Sequence, residues 1–216
     1  MWSTILLISI FVLDPWKKRC IMKVSAIIMA AGLSRRMNGD KLKMKINDRF
    51  IFEYIFDTIN NCEHLFEEVI VVAKDDDVLR KASSLGFRAI RNVNSHLGQS
   101  STIKLGVQNS ADVDGFMFFV ADQPFISMNT IGSMLGIFDE KPNNIIVSCC
   151  NGINRNPVIF PIEFKNDLLN LDGDMGGRII LKSNTYKIVK VHVQSEHEFK
   201  DIDTMQDYEE AIGKKG

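Results

Sequence analysis

The chain has 216 residues, 45% apolar and 25% charged, a balance that supports one buried core of ordinary globular type. Lys and Arg number 26 against 27 Asp and Glu, for a net charge of −1. No overall basic field exists to hold nucleic acid or an acidic membrane, so any anion must be met by a few local groups.

Residues 2–13 are mostly apolar and are followed by Trp-Lys-Lys-Arg. The run is too short for a membrane-spanning helix, which needs about 20 residues. Its positive charge follows the apolar part, the reverse of a secretory signal. We read residues 1–21 as an N-terminal extension and residues 22–216 as the working domain, opened by Met22. Cys20, Cys62, Cys149 and Cys150 show no metal-ligand spacing and read as free thiols of a reducing, cytoplasmic setting.

From residue 22 onward, apolar β-rich runs alternate with segments of helical period. VSAIIMA (24–30) predicts a first strand and FIFEYIFDTINN (50–61) a helix. EVIVVAK (68–74) predicts a strand, and DDVLRKASSLG a helix closed by Gly86. FRAIRN is a short strand, and SSTIKLGVQNS a helix with serines at its start. GFMFFVA (115–121) is the most continuous apolar strand and ends at Asp122. A helix over 127–139 follows, then NIIVSCC and NPVIFP as strands. Helical segments flank GDMGGR, YKIVKVHV is a last strand, and TMQDYEEAIG a closing helix. Buried strands that alternate with helices predict a three-layer α/β fold, which binds ligands at the carboxyl edge of its sheet.

The unusual residues fall at that edge. In IIMAAGLSRRMNGDK (27–41), the small residues Ala30, Ala31 and Gly32 let backbone N–H groups approach an anion. Arg35, Arg36 and Lys41 lie within reach to close on phosphate oxygens; the plain alternative is a solvated surface loop. Asp122 ends an apolar strand before Gln123-Pro124, and suits either a Mg²⁺ carboxylate or a turn. Asp201 and Asp203 in DIDT share one face of an extended segment, as a second carboxylate site or as the acidic cap of the last helix. HLGQSSTIKLG places Gly98, Ser100 and Ser101 at a helix start. LDGDMGGRI, with Gly173, Asp174 and Arg178, is either a clasp for an acidic substrate or a turn. The four histidines, His64, His96, His192 and His197, form no partner pattern.

Taken together and in order, these segments resemble a known family. MAAGLSRRMNGDKLKMKI is similar to the L-A-A-G-x-S-x-R-M-G-x-x-K signature of MobA-like nucleotidyltransferases. GQSSTIKLGV, VADQPFIS, NRNPVIF, GDMGGR and DIDTMQDYEEA resemble motifs of its molybdenum cofactor cytidylyltransferase branch. The resemblance spans about residues 23–213. It implies a Rossmann-like nucleotidyltransferase fold with a mostly parallel mixed sheet. It also implies Mg²⁺-dependent transfer of CMP from CTP to the phosphate of molybdopterin or the molybdenum cofactor, and a passing contact with a molybdenum hydroxylase.

Carried over by position, Ala30, Ala31, Gly32, Arg36 and Lys41 hold the triphosphate, and Gly98, Ser100 and Ser101 meet cytosine. Asp122 with Asp203 (less favourably Asp201) holds Mg²⁺, while Arg35 faces water. Arg36, Lys41 and Asp122 carry the catalysis. Asn156, Pro157, Gly173, Asp174 and Arg178 face the acceptor. Asn38, Ala121, Gly177, Met205 and Lys104 depart from the family pattern without removing an expected ligand. Another phosphorylated acceptor, GTP in place of CTP, or a non-catalytic cofactor carrier are the rival readings.

Overall fold

The structure, a computed structural model, describes residues 22–32 and 41–213. The 1–21 extension, Arg35, Arg36 and Asn38 lie outside the described residues. Strand β1 (Val24–Ala30) comes first, and a 3₁₀ turn at Lys41–Lys43 leads to a small hairpin, β2 (Lys45–Ile46) and β3 (Arg49–Phe50). Then come α1 (Ile51–Asn61), β4 (Glu68–Ala73), α2 (Asp76–Ser84), β5 (Arg88–Arg91), α3 (Gln99–Gln108), β6 (Gly115–Val120) and α4 (Met128–Glu140). The last third holds β7 (Ile145–Cys150), β8 (Ile153–Pro161), α5 (Lys165–Leu169), α6 (Arg178–Ser183), β9 (Ile188–His192) and α7 (Met205–Ala211).

Seven strands form one sheet in the order β5-β4-β1-β6-β8-β7-β9. All neighbours are parallel except those of β8, which runs against both β6 and β7. The expected mostly parallel mixed sheet is therefore present. The chain moves from β1 to β4 and β5 on one side and then returns to β6 on the other. That reversal opens a crevice at the carboxyl ends of β1 and β6, where sheets of this kind take ligands.

Strand alternation explains why the sheet is covered twice. Ala26 and Ile28 of β1, Val69 and Val71 of β4, and Met117 and Phe119 of β6 pack with α1, α2 and α4. Their neighbours Ile27, Ile70, Val72, Phe116 and Phe118 pack with α3, α5 and α6. Successive side chains of a strand point to opposite faces, so continuous apolar runs require helices on both. On α1 the helical spacing buries Phe52, Ile55, Phe56 and Ile59, each fully buried side chain of this size contributing roughly 1.5–3 kcal/mol.

Local signals end the elements as the sequence suggests. Asp75 caps α2 through Asp77 N and Val78 N, and Gly86, at φ +83°, turns the chain out after Ser84. The predicted helix 50–61 starts one residue later, because Phe50 is extended as the end of β3. The hairpin was not foreseen; its turn rests on Asn47 and Asp48, both at positive φ, which Asn and Asp tolerate better than most residues. Cys62, Cys149 and Cys150 are buried free thiols. Among the described residues no helix is long and apolar enough to cross a membrane.

Gly115 marks one place where two layers meet closely. A Cβ there would lie 2.7 Å from the Phe138 ring and 3.1 Å from the Phe160 carbonyl oxygen. Gly115→Ala is expected to destabilise the protein by about 1–3 kcal/mol through overpacking, read as a lower midpoint in urea denaturation at unchanged m-value.

Candidate active site

The crevice is lined by two adjoining chambers. The first, of about 370 Å³, is walled by Ala30, Ala31 and Gly32 after β1, by Lys41 and Leu42, by Gly98, Gln99 and Thr102 at the start of α3, and by Asp122, Asp174 and Asp203. The second, of about 620 Å³, is walled by Gln123, Asn154, Arg155, Asn156, Arg178, Lys182 and Asp201 around an apolar floor that includes Phe118 and Phe160. Met29, Gln99 and Asp174 line both.

At the edge of the first chamber, the Lys41 ammonium donates to Asp122 Oδ2 and to Asp203 Oδ1, the latter at 2.6 Å. Burial works against the charge on Lys41, but the Asp122 and Asp203 carboxylates more than offset it, and its pKa is raised. The lysine therefore remains an ammonium. Its turn is held by the two residues that follow it. Leu42 is buried in the core, and Lys43 pairs with Asp75 at 2.7 Å and Asp77 at 2.6 Å at the start of α2.

The DIDT segment reaches Asp122 through the backbone, with Ile202 N donating to Asp122 O at 3.1 Å. Ile202 is buried in a small cluster with Ile46 and Ile51. Anchored there, the segment sends its flanking aspartates to different chambers. Asp203 joins the first, whereas Asp201 joins the second and accepts from Gln123 Nε2 at 2.7 Å. The segment also leads into α7, which is capped by Thr204: its hydroxyl accepts from Asp207 N, and Thr204 N donates to the Asp207 carboxylate.

Comparison with known proteins gives this geometry a family. A family model described as the MobA-like NTP transferase domain matches residues 26–190. The chain belongs to the MobA-like NTP transferase family. It is 29% identical over 145 residues to a probable molybdenum cofactor guanylyltransferase of Natranaerobius thermophilus, covering 66% of this chain and 67% of that protein. It is 25% identical over 195 residues to the purine catabolism protein PucB of Bacillus subtilis, covering 85% of this chain and 93% of that one. Rv0371c of Mycobacterium tuberculosis shares the fold with a TM-score of 0.74 at 16% identity, over 89% of this chain and 98% of that one; another structure of that protein is a complex with manganese.

This nucleotidyltransferase brings Ala30, Ala31, Gly32, Lys41, Gly98, Asp122 and Asp203 together as expected from sequence, with Asp174 between the chambers. Asn156 and Arg178 line the second chamber, and Pro157 is buried behind them, its carbonyl accepting from Ser148 Oγ at 2.8 Å. Arg36 falls outside the described residues. Ser100 and Ser101 are not brought to the first chamber; they line a separate hollow of about 250 Å³. The helical period is the cause: once α3 starts at Gln99, positions 99 and 102 share the chamber face and 100 and 101 turn away. Ser101 Oγ instead donates to Gly98 O at 2.8 Å, and Ser100 N donates to Gly173 O at 3.1 Å.

Thr102, missed in the sequence reading, takes the chamber position. The buried Asn92 donates from Nδ2 to Thr102 Oγ1 at 3.0 Å, which fixes the threonine side chain at the chamber wall. Arg155 and Lys182 were also missed. Arg155 lies between the two asparagines of NRNP, and Lys182 follows Arg178 by four residues on α6, the spacing that puts two side chains on one helical face.

Glycines join the loop before α3 to the 173–176 loop. Gly98 sits at φ +95°, and a Cβ there would lie 2.5 Å from the Gly173 carbonyl and 2.6 Å from Asp174 Oδ1. Gly176 is filled by Gln99 in the same way, with Oε1 2.3 Å from where a Cβ would stand. The two loops meet backbone to backbone.

Asp122 and Asp203 already enclose a cation, the Lys41 ammonium, and so form a site built for positive charge. Among the described residues no group of three or more His, Cys, Asp or Glu makes a ready metal cage. Two carboxylates suit a hard divalent cation whose remaining positions are filled by water and substrate phosphates. The donor set fits such a metal.

Asp201 is partly enclosed by the cleft wall although open to the second chamber. Burial, helped by the negative charge of Asp122, raises its carboxyl to about 6. A carboxyl whose folded pKa exceeds its unfolded value favours folding only while protonated, so this contribution declines as pH rises from about 4 to 6. Asp201→Asn is therefore expected to raise the melting temperature of metal-free protein at pH 7–8, with the gain shrinking toward pH 4.5. A gain independent of pH would exclude Asp201 titration as its source.

Proposed function

We propose that this nucleotidyltransferase transfers CMP from CTP to the phosphate of molybdopterin, or of the molybdenum cofactor, with Mg²⁺, releasing pyrophosphate for the maturation of molybdenum hydroxylases. The observation that carries this reading is the Asp122–Asp203 pair beside the junction of two chambers, one rimmed by small residues and the other by cationic and amide side chains. The first chamber suits a nucleoside triphosphate, with the backbone at 30–32 toward its phosphates and Thr102 toward its base. The second suits an anionic acceptor with a flat polar body. Arg155, Arg178 and Lys182 supply positive charge, Gln123, Asn154 and Asn156 supply amides, and Phe118 and Phe160 supply apolar surface.

In the reaction, an oxygen of the acceptor phosphate forms a bond to the α-phosphorus of CTP while the bond from that phosphorus to the β-phosphate bridge breaks. The acceptor is already an anion, so the chain needs no strong general base. Its task is to align the two substrates and offset spreading charge. Asp122 and Asp203 would hold Mg²⁺, which would supply positive charge to offset that of the phosphates. Lys41, and Arg36 from the loop before it, would stabilise the departing pyrophosphate. Gln99 and Asp174, shared by both chambers, separate and orient the two substrates.

The Natranaerobius relative's description as a guanylyltransferase favours GTP as a second reading, while the Ala-Ala-Gly loop resembles that of CTP users. Pyrophosphate release measured with each NTP, with and without molybdopterin, separates them. The expected result is release only with CTP and pterin together; release with GTP moves the assignment to guanylyl transfer, and release with a sugar phosphate in place of the pterin overturns the acceptor. Asp122→Ala is expected to lower kcat on the order of 10²-fold or more, with a much smaller change in CTP affinity. A near-normal kcat would remove Asp122 from the metal site.

A further inference from the structure

Two carboxylates pointing at one point in a partly enclosed cleft repel each other unless a cation lies between them. Here that cation is the Lys41 ammonium, whose side chain is only 11% exposed. It bonds at once to Asp122 and Asp203, the proposed metal carboxylates. A divalent cation cannot share that gap with an ammonium, because like charges at contact distance in a cleft are strongly opposed.

We propose that Lys41 is a placeholder for the divalent cation: it holds Asp122 and Asp203 together in the nucleotide-free protein, and must swing onto the nucleotide's phosphates before the cation can enter. The inference rests on the reading that these two aspartates hold the metal. It adds an order to the loading, with cation and nucleotide entering together and the cation alone held back.

Three features make the exchange local. Lys41 lines the same chamber as Ala30, Ala31 and Gly32, so the phosphates that would receive it lie within the cavity it already borders. Its backbone is held by the residues that follow it, through buried Leu42 and the pairing of Lys43 with Asp75 and Asp77. Only its flexible four-carbon stem has to move. Asp203 is also the more open of the two carboxylates, 43% exposed against 21% for Asp122, which gives an arriving cation a face to approach.

The energetic consequence is coupling. Alone, the cation must displace an ammonium that loses two carboxylate partners. With nucleotide present, the ammonium trades them for phosphate oxygens. Nucleotide therefore tightens cation binding, and by linkage the cation tightens nucleotide binding to the same degree.

Mn²⁺ is the probe, and its free concentration is read by electron paramagnetic resonance on the full chain, with correction for Mn²⁺ held by free CTP. Without nucleotide, Lys41→Gln is expected to bind Mn²⁺ about tenfold or more tightly than wild type, since one positive charge has left the site. The same variant should lose most of the enhancement that CTP gives wild type, while Lys41→Arg, which keeps the charge, should resemble wild type. Equal Mn²⁺ affinity in wild type and Lys41→Gln overturns the placeholder and leaves the carboxylate site standing. No Mn²⁺ binding by any of the proteins, even with CTP, overturns the metal assignment itself.

Wild type supplies a second measurement, which matters should the glutamine variant fail to fold. Acylation of Lys41 by an amine-reactive ester, followed by mass spectrometry, is expected to rise when Mn²⁺ is forced in at high concentration and to fall when CTP is added as well. Labelling that does not change at full Mn²⁺ occupancy overturns the exchange.

Discussion

The cation between Asp122 and Asp203 is the constraint on which the rest of this site depends. Lys41 satisfies it from 81 residues before Asp122 and 162 before Asp203, so the three groups meet only because the sheet edge collects them. Each is delivered by a stable part of the fold. Asp122 follows the buried strand β6, Lys41 opens the turn locked onto α2 by Lys43, and Asp203 follows the buried anchor Ile202. Partial enclosure strengthens the pairing and makes it costly to leave any one charge unmatched.

Around this point the molecule divides its work. The small residues after β1 and the first turn of α3 surround one chamber, and β8, α6 and the 173–178 loop surround the other. Their separation is not loose, because Gly98 and Gly173 touch through their backbones and Gln99 packs on Gly176. A side chain at Gly98 would meet the Gly173 backbone and hold the two loops apart. Glycine serves here as a close-contact residue as much as a flexible one.

Much of the architecture was legible in the sequence. The alternation of apolar strands and helical periods revealed the three layers, Asp75, Ser127 and Thr204 sit where the caps are, and the motif order indicated which loops share an edge. Less legible were the features that depend on how a side chain turns. Ser100 and Ser101 stand at a helix start where hydroxyls were expected to meet a ligand, yet the register set by Gln99 as the first helical residue sends them to another hollow. Arg155 and Lys182 carried no signal of their own; their role appears once β8 runs antiparallel and α6 lies beside it.

By itself, the sequence determined the class of fold, the carboxyl edge as the place of the site, and most of the residues that reach it, because these follow from period, burial and the chemistry of short motifs. Only the tertiary structure decided who partners whom. It placed Lys41 on the two aspartates, parted Asp201 from Asp203, and seated Thr102 under Asn92. The physical reason is that charge pairing and hydrogen bonding act over a few ångströms in space, and separation along the chain says nothing about which groups will share them.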